Sequence, residues 1–144
     1  MNDTGLLCAA SIENVQYEIL KGNLNVNMGG IIENTIAELL AVNGFDLRYF
    51  DRKNFGEVDF LLQQGGTVLP IEVKPGASYK KHAGLDHLMQ SEKWNIEKAY
   101  VLCSGNVEQT DKVTYEPWYM AMFIRQEKLP VQMKVDVDLH LLEK

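Results

Sequence analysis

The stretch GEVDFLLQQGGTVLPIEVK, residues 56–74, constrains the fold of this chain more than any other segment. It consists of two short apolar runs separated by Gly65 and Gly66. A two-residue hairpin loop favours a primed turn with positive φ, which glycine adopts without steric cost. We therefore predict a β-hairpin in which Gln64 faces Thr67 and the rest of the register follows from that pair.

This register places four charged residues on one face of the hairpin. Asp59 lies opposite Glu72, and Glu57 lies opposite Lys74. Because side chains alternate along a strand, the other face is apolar and is predicted to be core; it carries Val58, Phe60, Leu62, Leu69, Ile71 and Val73. A solvated sheet surface would explain Glu57 opposite Lys74.

A solvated surface explains Asp59 opposite Glu72 poorly. Like charges directly across an antiparallel pair are destabilising, since their Cβ atoms lie only about 4.5–5.5 Å apart. Two carboxylates at this spacing suit a hard divalent cation such as Mg²⁺, which takes oxygen ligands, and Lys74 projects beside it. The metal site depends on the register, because a three-residue loop would put Asp59 and Glu72 on opposite faces.

The spacing of these residues resembles a known signature. Asp59, followed after twelve residues by Glu72, Val73 and Lys74, is similar to the D…(D/E)-x-K motif of the PD-(D/E)XK, restriction-endonuclease-like nucleases. The chain also resembles the domain of unknown function that follows an AAA-type ATPase module in many bacterial and archaeal proteins. The segments that carry this resemblance are spread over most of residues 2–124. They are NDTGLL (2–7), GGIIENTIAELL (29–40), GEVDFLL (56–62), LPIEVKPG (69–76) and PWYMAMFI (117–124).

The resemblance implies a set of site residues. Asp59 and Glu72 would hold Mg²⁺ or Mn²⁺, and Glu33 from the first helix would join them as a third ligand. Lys74 would position or deprotonate the water that attacks a phosphodiester. By residue spacing alone, Glu33 falls on the flank of an apolar helical stripe, where a glutamate is usually just solvated.

The secondary-structure pattern is that of an α/β protein. The resemblance implies a restriction-endonuclease-like αβββαβ core with a central mixed sheet flanked by helices. The pattern predicts a helix at 31–43 that ends at Asn43-Gly44, strands at 45–51 and in the hairpin, a helix at 84–94, a strand at 99–103 parallel to its neighbour, and a helix beginning at Pro117. Residues 1–124 would form the nuclease-like domain, and residues 125–144 an extension with an amphipathic strand at 131–139 that packs on the same domain or on a partner.

Charge limits what the domain can bind. The net charge is −6, and nucleic acid is bound largely through Lys and Arg, so we expect only weak DNA binding. A small basic stretch follows the hairpin, where Lys80 and Lys81 are either phosphate contacts or part of a solvated loop. The sequence contains no apolar run of membrane-spanning length and no phosphate-binding loop for ATP. We expect a cytoplasmic protein, and the resemblance implies that an ATPase module precedes this domain.

Two classes of function remain open at this stage. The first is a metal-dependent nuclease that uses Glu33, Asp59, Glu72 and Lys74. The second is a catalytically silent nuclease fold that serves the attached ATPase as an interaction or DNA-docking module. The four site residues favour the first class, whereas the acidic charge favours the second. Self-association into a homo-oligomer is also left open.

Overall fold

A computed structural model describes residues 3–11, 17, 20–21 and 28–126. The strand that we predict at 131–139 lies outside these residues. The described helices are α1 (Thr4–Ser11), α2 (Gly29–Val42) and α3 (Ala83–Met89), with a 3₁₀ helix at Trp118–Phe123. The described strands are β1 (Arg48–Arg52), β2 (Gly56–Gln64), β3 (Thr67–Lys74), β4 (Ala99–Cys103), β5 (Glu108–Thr110) and β6 (Val113–Pro117).

Within these ranges the strands form one six-stranded mixed sheet in the order β1-β2-β3-β4-β6-β5. Strands β3, β4 and β6 are parallel to one another, and the remaining neighbours are antiparallel. The connection from β3 to β4 passes through α3, as expected, because parallel neighbours require a crossover. The protein is therefore a mixed α/β structure, as predicted.

The hairpin of β2 and β3 has the predicted bounds and the predicted loop. Gly65 has a φ of +59°, the left-handed region that glycine enters most easily. The predicted register is confirmed from the Gln64–Thr67 pair at the loop to the Phe60–Ile71 pair. The predicted pairs of Asp59 with Glu72 and of Glu57 with Lys74 are not part of this ladder.

The hairpin departs from the prediction at a β-bulge in β2. Arg48 on β1 pairs with Leu61, but Phe50 pairs with Val58, so β2 contains one extra residue between these two pairs. An extra residue reverses the alternation of side chains beyond it. The prediction that Val58 shares a face with Phe60 was therefore wrong, since Val58 packs on the opposite side of the sheet.

Each face of the sheet has its own hydrophobic core. On one face, β2, β3 and β4 pack against α2 and the 3₁₀ helix; the main contributors are Ile32, Ile36, Leu40, Phe60, Leu62, Leu69, Ile71, Leu102 and Ala121. On the other face they pack against α3; the main contributors are Val58, Leu85, Leu88, Val101, Cys103 and Tyr115. None of the described helices is long and apolar enough to cross a membrane.

The remaining differences from the sequence prediction lie at element ends. The strand predicted at 45–51 begins at Arg48, and the helix predicted at 84–94 ends at Met89. Pro117 ends β6 instead of beginning an α-helix, and the helix after it is a 3₁₀ helix that ends at Phe123. Strands β5 and β6 were not predicted, because β5 has only three residues and the alternation of Val113, Tyr115 and Pro117 in β6 covers only five.

The start of β2 and the start of α3 approach each other through two glycines. A Cβ on Gly56 would lie 2.6 Å from the Cα of Gly84, and a Cβ on Gly84 would lie 2.8 Å from the backbone nitrogen of Glu57. Contacts below 3.0 Å essentially never occur for real Cβ atoms. The close approach of α3 to the start of β2 therefore requires glycine at both positions.

Gly84→Ala is expected to push α3 away from β2 and to destabilise the fold by about 1–3 kcal/mol, the usual cost of forcing extra atoms into a packed site. Urea denaturation would measure this loss. Gly66→Ala is the matched control, since a Cβ there meets nothing within 4 Å. Equal stability of the two variants would contradict the close packing described here.

Candidate metal and catalytic site

The candidate site lies where β2 and β3 separate beyond their last paired residues, Phe60 and Ile71. The bulge in β2 lies between Val58 and Leu61 and therefore contains Asp59 itself. Oδ2 of Asp59 accepts a hydrogen bond from the backbone N–H of Val73 at 2.6 Å. This contact between a carboxylate and a strand N–H holds Asp59 beside the carboxyl end of β3.

Glu72 is the most buried carboxylate of the site, with 4% of its surface exposed. Its Oε1 forms an ion pair with Nζ of Lys74 at 2.6 Å. Its Oε2 is buried and has no hydrogen-bond partner among the described residues. A buried carboxylate oxygen without a partner is costly, so this atom marks a position where a ligand would be bound favourably.

Glu33 lies on α2 and is partly buried, whereas residue spacing alone favoured a solvated glutamate. The charges of Asp59 and Lys74 both act on its carboxyl group. Lys74 is in turn affected by Glu72, Asp59 and Glu33. The structure therefore brings all four predicted site residues into one electrostatic cluster, although they come from α2, β2 and β3.

The cluster shifts the acidity of its carboxyl groups in one direction. Burial raises the pKa values of Glu33, Asp59 and Glu72 above their usual range, and neighbouring carboxylates add to the effect. Burial by itself lowers the pKa of Lys74, but the hydrogen bond to Glu72 and the surrounding carboxylates outweigh it and raise that pKa overall. Lys74 is therefore held in its protonated form.

The fit of a divalent ion to this cluster is mixed. Among the described residues, no group of three His, Cys, Asp or Glu side chains lies close enough to bind one metal ion together. Mg²⁺, however, is commonly held by one or two carboxylates, with water and substrate phosphates as the other ligands. Asp59 and Glu72 meet this requirement, and the unpartnered Oε2 of Glu72 fits an ion. The role of Glu33 as a third ligand stays a prediction.

The two lysines of the basic loop differ in their surroundings. Nζ of Lys80 lies 2.8 Å from both carboxylate oxygens of Glu108. Lys81 is exposed and forms no ion pair with another described residue. Glu108 was missed because its strand, β5, was not predicted. Contacts of Lys80 and Lys81 with phosphate stay predictions, and Lys80 would have to exchange its carboxylate partner for a phosphate.

A buried histidine beside the site was missed by the sequence analysis. His82 is 7% exposed, and its Nε2 lies 2.7 Å from the hydroxyl of Tyr115. Its Nδ1 lies 3.0 Å from Oδ1 of Asp86. The i, i+4 spacing of His82 and Asp86 at the start of α3 was the available sequence signal. Nδ1 nevertheless has no hydrogen-bond partner among the described residues, so the contact of Nε2 with Tyr115 is what connects the start of α3 to β6.

Asp59→Asn is expected to stabilise the metal-free protein at neutral pH by about 1 kcal/mol, the typical size of a single-residue effect. The pKa of Asp59 is raised by folding, so its contribution to stability is present below the pKa of the unfolded chain and is lost as pH rises through the folded-state pKa. Asparagine keeps an oxygen that can accept from Val73. Urea denaturation with a chelator should show the gain at neutral pH and none in acid; a variant less stable than the wild type at neutral pH would contradict the expectation.

Comparison with known proteins assigns the family. The sequence model of the family described as "Domain of unknown function (DUF4143)" matches residues 28–120. Domains of this family commonly lie C-terminal to AAA ATPases. No curated protein and no solved structure matches the chain. Because the matched range covers more than half of the 144 residues and includes Glu33, Asp59, Glu72 and Lys74, the chain belongs to the DUF4143 family.

Proposed function

We propose that this chain is a metal-dependent nuclease domain with a restriction-endonuclease-like core that hydrolyses phosphodiester bonds in DNA. The order of α2, β1, β2, β3, α3 and β4 supports the αβββαβ core that the D…(D/E)-x-K motif implies. The observation that carries the proposal is the buried Oε2 of Glu72, which has no partner in the described part of the chain. The other oxygen of this carboxylate pairs with Lys74, and the charge of Asp59 acts on the group.

Asp59 and Glu72 are the residues that would hold Mg²⁺ or Mn²⁺. When bound, such an ion would stabilise the negative charge that develops on the phosphate and lower the pKa of a coordinated water. The hydrogen bond from Val73 to Oδ2 of Asp59 orients that carboxylate toward the site. The ion pair with Lys74 likewise orients the carboxylate of Glu72.

Lys74 contributes a fixed positive charge. Because the carboxylates around it raise its pKa, it is protonated in the metal-free site, where it does not act as a base. Its ammonium group can donate hydrogen bonds to the attacking water and to a non-bridging oxygen of the scissile phosphate. Of the two roles open in the sequence, positioning the water is therefore the one that we assign to Lys74.

Glu33 lies on the α2 side of the cluster and is partly buried. Its pKa is raised by burial and by Asp59, so it retains a proton to higher pH than an ordinary glutamate. A neighbouring cation would favour its ionised form. We assign it the role of an auxiliary carboxylate that completes the site when an ion is present.

A second function is favoured by the charge of the chain. With a net charge of −6 and the ion pair of Lys74 already satisfied by Glu72, the fold could serve the attached ATPase as a silent interaction or DNA-docking module. In that case the carboxylate cluster would have no catalytic role, and neither metal nor Lys74 would matter for the behaviour of the longer protein.

Nicking of supercoiled plasmid DNA tests the choice between the two functions. Wild-type protein is expected to nick in the presence of Mg²⁺ or Mn²⁺ and to stop when a chelator is added. Cleavage should be weak, independent of sequence and suppressed by salt, because few cations are available to bind phosphates. Equal background nicking by the wild type and by Glu72→Gln would reject the nuclease and leave the silent module.

A further inference from the structure

One face of β1 carries two arginines that no described carboxylate neutralises. Arg48, Phe50 and Arg52 alternate along β1, so their side chains project from the same face of the sheet. Phe50 packs against the core on the α3 side, which places both arginines on that side. Both are exposed, and neither forms an ion pair with another described residue.

This row of arginines runs from the start of β2 to a groove. At one end, Arg52 pairs with Gly56, three residues before Asp59 in β2. At the other end, Arg48 and Trp94 line a groove of about 290 Å³ beside the hairpin loop. The carboxylate of Asp51 does not interrupt the row, since it projects from the opposite face of β1.

Trp94 is an exposed aromatic side chain on a fixed support. Its exposed fraction is 43%, although large apolar residues are usually buried. The next residue, Asn95, accepts a hydrogen bond from the N–H of Val68 at 2.9 Å, and its side-chain amide donates to the carbonyl of Gly66 at 3.3 Å. These contacts tie the segment that carries Trp94 to the first residues of β3 and to its loop.

We propose that this face binds single-stranded nucleic acid, with phosphates along Arg52 and Arg48 and a base stacked on Trp94. A positively charged track combined with an exposed aromatic ring is the usual arrangement for single-strand binding without sequence preference. A duplex keeps its bases stacked inside, so it offers no base to Trp94. From Arg48 to Arg52, β1 rises roughly 13 Å, a span that a few nucleotides can cover.

The inference rests on the proposed function only in naming a single strand as the substrate of the nuclease. Binding can be tested separately from cleavage. Binding of a fluorescent oligothymidylate of about 10 nucleotides is measured by anisotropy over a series of salt concentrations, with a chelator present. A duplex of the same length is the second probe. The wild type is expected to bind the single strand more tightly than the duplex.

Two sets of variants locate the binding face. Trp94→Ala is expected to weaken binding at least about fivefold, Trp94→Phe to keep most of it, and Trp118→Ala to change nothing. The double variant Arg48→Ala/Arg52→Ala should lower the slope of log affinity against log salt by about 1.4, the contribution of two phosphates on a single strand. The control is the double variant Lys98→Ala/Lys112→Ala. Both lysines lie outside the Arg48–Arg52 face, so the slope should stay unchanged.

Several results would overturn the inference. These are no binding of the oligothymidylate, tighter binding of the duplex, unaltered binding by Trp94→Ala, or the same slope change in the arginine and lysine double variants. Binding that follows the expected pattern without any nicking would reject the nuclease and keep the binding face. Nicking without such binding would keep the nuclease and reject the binding face.

Discussion

Lys74→Ala is expected to lower the rate of metal-dependent nicking at least about 100-fold, the usual loss when one preorganised charge or donor is removed from a developing anion. Metal affinity should change little, because the positive ammonium of Lys74 is not a metal ligand. It acts instead on the water and the scissile phosphate. The fold should also remain, since the side chain of Lys74 is 38% exposed. Plasmid nicking and calorimetric metal titration on the same protein preparation would measure both quantities.

Lys112→Ala serves as the matched control, because it removes the same charge from the β5–β6 turn, outside the candidate site. Nicking by this control should equal that of the wild type at each salt concentration. If Lys74→Ala and Lys112→Ala lost activity to the same extent, the effect would be one of overall charge. Lys74 would then have no special position in the reaction.

Glu72→Gln is expected to abolish the stabilisation of the fold by Mn²⁺. A ligand at 100 times its dissociation constant that binds only the native state stabilises it by about 2.7 kcal/mol, a rise in melting temperature of about 10 °C for a domain of this size. Glutamine keeps the shape of the side chain but loses the negative charge that a divalent cation requires. Thermal unfolding with Mn²⁺ and with a chelator measures the difference.

Glu97→Gln is the control for this experiment, since it alters an exposed glutamate outside the carboxylate cluster. Its melting temperature should rise with Mn²⁺ as much as that of the wild type. A full rise in Glu72→Gln would place the ion at another site. It would also leave the buried, unpartnered oxygen of Glu72 without a chemical explanation.

The hairpin and α2 were predictable because local sequence rules determine them. Gly65-Gly66 fixed the loop and the first five pairs of the register, and the apolar stripe of Ile32, Ile36 and Leu40 identified α2. The β-bulge in β2 was not predictable, since it depends on how β1 pairs with β2 across the sheet. A single extra residue was enough to move Val58 to the opposite core.

The bulge also changes the structural feature that brings the residues of the candidate site together. The sequence argument placed Asp59 next to Glu72 as a cross-strand pair, whereas the structure brings them together where the two strands separate. The hydrogen bond from Val73 to Asp59 takes the place of a ladder contact there. The predicted pairing was therefore wrong, although Glu33, Asp59, Glu72 and Lys74 lie in one electrostatic cluster.

Contacts between distant segments account for the other omissions. Nothing in the basic loop indicates that Lys80 would pair with Glu108, which lies in a strand of only three residues. The exposure of Trp94 depends on α3 ending at Met89, but the sequence pattern favoured a longer helix. Such features depend on tertiary packing, which overrides local propensity.

Calorimetric titration of Mn²⁺ into the wild-type protein and into Asp59→Asn tests the metal site most directly. The wild type should show saturable binding of one ion, and the variant should show no heat beyond dilution, because a charged oxygen ligand has been replaced by a neutral one. The hydrogen bond from Val73 can persist in the variant, so a loss of binding would report the charge. Absence of binding by the wild type, or unchanged binding by Asp59→Asn, would contradict a metal centre formed by Asp59 and Glu72.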